Sequence, residues 1–219
     1  RAIRSAEILG MTAPITVGKI MDLAHEGTLK FSETAELYIS PIFYVQSGFI
    51  VEPDPKTTQF LMVVQEAPLP EAKGFSACLS KYRRPSKDSA PTEAKASCLY
   101  PNVARSVAEA KSKGFDTGIV LDPNGNVAEF SYANLFMSRN GVVSTPSING
   151  TFLNGITRQR VIKLLRRDGI TVEERAIDIG ELDSADELFS TGNYAKVMPC
   201  TRYHEKLMPI GPMALRARD

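Results

Sequence analysis

Short apolar runs bounded by turn residues outnumber helical repeats along this chain, and the two do not alternate strictly. Strand-like runs fall at residues 36–45, 59–65, 75–82, 116–121, 133–137, 142–144, 172–177, 187–190 and 196–199. The run 59–65 is so uniformly apolar that it reads as a buried strand. Helical spacing occurs at 15–26, after Pro101 with Val103, Val107 and Ala110 on one side up to Gly114, and at 157–167 with Val161, Leu164 and Leu165. Turn chemistry marks 122–126 and 139–141. A parallel sheet built of βαβ units needs a regular alternation that is missing here, so the pattern predicts an α+β fold. Pro68-Leu69-Pro70 breaks the periodicity and is the expected boundary between residues 1–69 and 70–219.

At 219 residues and 43% hydrophobic content the chain can bury a sizeable core. Its 26 basic and 25 acidic residues leave a net charge of +1, which offers no electrostatic footprint for nucleic acid or an anionic membrane. No apolar run reaches bilayer-spanning length. Cys78, Cys98 and Cys200 are an odd count without metal-ligand spacing, and His25 and His204 lie far apart, so no metal site is expected. Reduced thiols point to the cytoplasm. Both ends read as pieces of helix, which suggests a fragment of a longer chain.

Four segments carry the chemistry. They are Arg84-Pro85 followed by Ala90-Pro91-Thr92-Glu93-Ala94-Lys95 and Tyr100; Asn126-Val127-Ala128-Glu129 followed by Asn134-Leu135-Phe136; Leu153-Asn154-Gly155-Ile156-Thr157-Arg158; and Ser190 through Pro199. Taken singly, each has an ordinary explanation. A lone lysine or glutamate is most often a solvated surface group. Thr157 ahead of an amphipathic stretch reads as an N-cap. Tyr100 reads as a core or rim aromatic.

In this order and spacing, the four segments resemble the branched-chain and D-amino acid aminotransferases, the class IV (fold type IV) enzymes that depend on pyridoxal 5'-phosphate. The resemblance covers most of the chain from about residue 36 onward. It implies a two-domain fold, with a smaller N-terminal α/β domain, truncated here, over 1–69 and a larger cofactor-binding domain over 70–219. It also implies a site between them and a homodimer whose partner loops close the pocket. By the same resemblance Lys95 is the catalytic residue that carries the cofactor as a Schiff base, with an amine whose pKa is lowered by desolvation and neighbouring positive charge. Glu129 faces the pyridine nitrogen and Tyr100 the phenolic oxygen. The backbone of Gly155, Ile156 and Thr157, with the Thr157 hydroxyl, takes the phosphate at a helix N-terminus. Leu153 packs on the ring, and Asn193 adds a second phosphate contact. Tyr38, Tyr194 and Arg84 are candidates for the substrate side, Arg84 serving equally well as a structural charge partner.

Departures bear on the substrate. Branched-chain members often read Tyr-Ile-Arg-Pro where this chain has Tyr38-Ile39-Ser40-Pro41. Gly-Gly-Asn-Tyr becomes Ser97-Cys98-Leu99-Tyr100, and Gly-Thr-Ala-Ala becomes Gly192-Asn193-Tyr194-Ala195. The family's phosphate-clamping arginine would precede Arg1. The resemblance therefore implies ping-pong transfer between an aliphatic, branched-chain-like amino acid and a 2-oxo acid. D-amino acid or (R)-amine transamination, 4-amino-4-deoxychorismate cleavage, and a cofactor-free assembly domain stand as alternatives.

Overall fold

In the computed structural model, which describes residues Arg1–Asp219, the chain divides into two units. One comprises Arg1–Leu69 with Ala94–Ala96, the other Pro70–Glu93 with Ser97–Asp219.

The first unit contains helices α1 (Ala2–Ile8) and α2 (Val17–Thr28) and strands β1 (Leu37–Val45), β2 (Gly48–Phe49), β3 (Glu52–Pro53) and β4 (Thr58–Glu66). The Thr16 hydroxyl accepts the Lys19 N–H at 3.3 Å, so α2 starts after this cap rather than at residue 15. Strands β1 and β4 pair antiparallel from Leu37 opposite Glu66 to Val45 opposite Thr58, with the Phe43 and Phe60 rings 5.1 Å apart. The expectation of a buried strand at 59–65 fails. Within β4 only Thr58 is buried, and Leu61 is 49% exposed. A two-stranded sheet covers few of its own side chains, so apolar composition alone does not bury them. The hairpin of β2 and β3, with Phe49, Ile50 and Val51 exposed, was not legible in the sequence.

The second unit begins with β5 (Phe75–Arg83) and α3 (Tyr100–Ser112). It continues through β6 (Thr117–Leu121), β7 (Val127–Phe130), β8 (Ala133–Arg139), β9 (Val142–Pro146) and α4 (Ile156–Arg167). Strands β10 (Val172–Arg175), β11 (Glu187–Gly192), β12 (Lys196–Tyr203) and β13 (Lys206–Leu207) precede α5 (Pro212–Arg218). Parallel pairs (β5 with β6 and with β12, β9 with β10) mix with antiparallel ones, so the sheet is neither a meander nor a βαβ array. Strand β7 pairs with both β6 and β8, which closes the path β8-β11-β12-β5-β6-β7 on itself. Closure removes the edges that an open sheet would expose.

Alternation along the strands then separates two faces. One face packs Ala77, Ile119, Phe130, Leu135, Met137, Leu188 and Cys200 together. The other carries Phe136, Phe189 and Val197 against Val161, Ile162 and Leu165 of α4 and Ala214 and Ala217 of α5. The Phe136 and Phe189 rings stack at 5.0 Å. On α3 the buried residues are Ser106 and Ala110, while the expected Val103 and Val107 are half-buried. Small side chains win there because α3 sits close on the sheet. A Cβ at Gly118 would stand 2.6 Å from the Ser106 hydroxyl.

Candidate active site

Strand register places three polar residues in one row. Glu129 on β7 lies opposite Asn134 on β8, and Asn134 opposite Thr191 on β11. Their neighbours Phe130 and Leu135 fill the inner cluster, so this row faces the side covered by helices. Glu129 is only 7% exposed, which overturns the reading of a solvated strand-edge carboxylate. The Arg84 Nε stands 3.4 Å from Glu129 Oε1 and donates to the Thr151 carbonyl at 2.9 Å.

Asn134 joins this carboxylate to the turn before α4. Its Nδ2 donates to the Leu153 carbonyl at 2.9 Å and to Glu129 Oε2 at 3.4 Å, and its Oδ1 accepts the Gly155 N–H at 3.2 Å. A Cβ on Gly155 would stand 2.2 Å from Asn134 Oδ1, so the close approach requires glycine.

The N-cap of α4 is Gly155 and not Thr157, which lies inside the first turn, and no side chain caps the helix. Ile156 is exposed and Thr157 half-buried. The turn is held from beneath by Arg158, which is 1% exposed. Its guanidinium donates to Asn154 Oδ1 at 3.1 Å, the Pro146 carbonyl at 2.9 Å and Glu174 Oε2 at 3.1 Å. Burial lowers the Arg158 pKa, an effect that the Glu174 carboxylate opposes. The structural parts played by Asn134 and Arg158 escaped the sequence reading, although both residues lay inside recognised segments.

Tyr100 opens α3 and is 52% exposed. Asn193 and Tyr194 are exposed in the turn between β11 and β12, where Asn193 Oδ1 accepts from Lys196 Nζ at 3.0 Å. Tyr38 is half-buried on β1 opposite Gln65. Lys95 belongs to the first unit, and its backbone N–H donates to Ser5 Oγ at 3.0 Å. Its side chain is exposed, contrary to the expected desolvation. Along 92–96 the chain alternates, with Thr92, Ala94 and Ala96 turned inward and Glu93 and Lys95 outward.

This donor set suits pyridoxal phosphate. An uncapped helix N-terminus opens through a glycine too tightly seated for a side chain, as an anion site requires. A buried carboxylate that can face a ring N–H is tied to the same turn. In the same row the Thr191 hydroxyl is buried without a hydrogen-bond partner.

Comparison with known proteins agrees. The family model described as amino-transferase class IV matches residues 1–203. A probable branched-chain-amino-acid aminotransferase of Rickettsia bellii is 31% identical over 90% of this chain and 68% of its own. The crystal structure of a Brucella abortus aminotransferase bound to pyridoxal phosphate superposes with a TM-score of 0.97 at 45% identity, covering 100% of this chain and 79% of the other. A branched-chain amino acid aminotransferase from Thermobaculum terrenum in its pyridoxal phosphate form gives a TM-score of 0.92 at 31% identity, over 99% and 73% of the two chains. The chain belongs to the class IV aminotransferases, pyridoxal phosphate enzymes that move an amino group between an amino acid and a 2-oxo acid.

Proposed function

We propose that this aminotransferase acts on aliphatic, branched-chain-like L-amino acids and their 2-oxo acids in two half-reactions at one site. The observation that carries the proposal is the Glu129–Asn134–Gly155 linkage, read together with the similarity to relatives named for branched-chain substrates. When bound, the coenzyme supplies an electron-withdrawing pyridinium ring that stabilises negative charge at the substrate Cα.

The remaining work falls to side chains. Lys95 would hold the coenzyme through its amine and, once the substrate has freed that amine, would take up the substrate Cα proton as a general base. Glu129, paired with Arg84, would accept the ring N–H. The Tyr100 hydroxyl donates to the phenolic oxygen. The N–H groups of Ile156 and Thr157, with the Thr157 hydroxyl, hold the phosphate. Leu153 supports the ring, and Asn193 reaches the phosphate from the β11–β12 turn. Tyr38 and Tyr194 line the substrate side. Ser40 stands where the family resemblance implies an arginine and offers no positive charge to a substrate carboxylate.

The protein works as a cytoplasmic homodimer in this proposal. Support for assembly comes from the hairpin at Phe49, Ile50 and Val51, which are 72%, 90% and 87% exposed. No helix is long and apolar enough to cross a membrane.

A screen of L- and D-amino acids and (R)-amines against several 2-oxo acids tests the substrate reading. Ping-pong kinetics with L-leucine, L-isoleucine or L-valine is the expected result. Activity confined to D-amino acids or (R)-amines, or pyruvate release from 4-amino-4-deoxychorismate without transfer, overturns it. Sedimentation of the full-length protein as a monomer at micromolar concentration would remove the dimer.

A further inference from the structure

Asn134 has both ends of its amide committed. The Gly155 N–H and the Leu153 carbonyl fix which way round it sits, since a reversed amide would set oxygen against oxygen and N–H against N–H. The remaining Nδ2 hydrogen points to Glu129 Oε2. Register with β7 on one side and β11 on the other holds the residue in place, and it is 5% exposed. The Asn134 amide thus hydrogen-bonds both Glu129 and the turn that opens α4.

We propose that Asn134 is a positioning residue that sets the spacing between the ring-nitrogen carboxylate and the phosphate turn. The inference rests on the reading of Glu129 and the turn at Gly155 as coenzyme ligands. Pyridoxal phosphate has a rigid ring and a short phosphate arm, so the separation of its two anchoring ends is nearly constant. A receptor whose two halves share one amide is preorganised for that separation and loses less freedom on binding. Asp at this position would still accept the Gly155 N–H. It would lose both donations and set a carboxylate beside Glu129 and the Leu153 carbonyl.

The test is coenzyme binding to full-length, coenzyme-free protein, followed by visible absorbance. Pyridoxal phosphate and pyridoxal, which lacks the phosphate, are titrated into wild type, Asn134→Asp, Asn134→Ala, Glu129→Gln and Thr157→Ala, with circular dichroism to check folding. Both Asn134 variants should bind pyridoxal phosphate about tenfold more weakly or worse, the size of one lost hydrogen bond to a charged group. The preference for pyridoxal phosphate over pyridoxal should shrink as well, and the pH midpoint of the visible band should move as it does in Glu129→Gln. If Asn134→Asp does not fold, Asn134→Ala alone decides. Binding of both ligands within about twofold of wild type, with the band unchanged, overturns the Asn134 role. That result leaves the ligand assignments standing if Glu129→Gln and Thr157→Ala still lose affinity. If those two variants also bind like wild type, the ligand assignments themselves fall.

Discussion

Arg84 and Glu129 face each other with both side chains nearly out of solvent, Nε to Oε1 at 3.4 Å. They stand 45 residues apart in sequence, on the segment after β5 and on β7. Neither charge is left uncompensated in this interior. The Thr151 carbonyl accepts from the same Nε and orients the guanidinium. Of the two roles open to Arg84 on sequence grounds, the geometry supports a structural charge partner.

Arg84→Ala should therefore cost stability as well as activity. Removing one partner of a buried pair typically costs about 3–5 kcal/mol, because the other charge stays buried. Urea unfolding of the coenzyme-free protein measures this directly. Arg84→Lys should recover part of the loss, since a point charge lacks the planar fork. A loss below roughly 1 kcal/mol in the alanine variant would place the pair among ordinary surface contacts.

Lys95→Ala should abolish the visible band of the bound coenzyme. It should also slow transamination by about 10²-fold or more, the usual scale of a lost general acid–base. Folding should survive, because the side chain is exposed and its neighbours Ala94 and Ala96 do the packing. A variant with wild-type turnover and an intact band would show that another amine carries the coenzyme.

Gly155→Ala forces a methyl to within 2.2 Å of Asn134 Oδ1. Overpacking of this kind typically costs about 1–3 kcal/mol. The turn must shift to relieve it, so coenzyme affinity should fall together with the melting temperature. Unchanged affinity would mean that the turn has more freedom than its contacts suggest.

The cysteines give a pH-dependent prediction. Burial pushes the Cys200 thiol from its ordinary 9.0 up to about 12, and Tyr203 from 10.0 up to about 12. A raised pKa means that the folded chain keeps its proton longer than the unfolded chain. The associated stability is whole below about pH 9 and drains away as pH rises toward 12. Urea midpoints should fall steadily over that range, and Cys200→Ala should make the fall shallower. A thiol reagent near neutral pH should modify exposed Cys98 and spare buried Cys78 and Cys200 until the protein unfolds. Rapid modification of all three in the native protein would contradict the burial.

What could be read from the sequence alone was whatever local chemistry dictates. The turns at 122–126 and 139–141, the helices after Pro101 and around Val161, and the strand runs all follow from neighbouring residues, and so does the order of the motif segments that marks the family. Local patterns also misled: the apolar run at 59–65 stays partly open, and Thr157 is not the cap it resembled. Pairing was beyond reach, because period-2 alternation shows that a residue faces one side of a sheet without naming the strand beside it. Only the closing of β7 onto both β6 and β8 buries Glu129, sets Arg84 against it and puts Asn134 opposite it. Those contacts join residues distant in sequence, and they exist because each buried charge and amide needs a partner that only the folded chain can bring within reach.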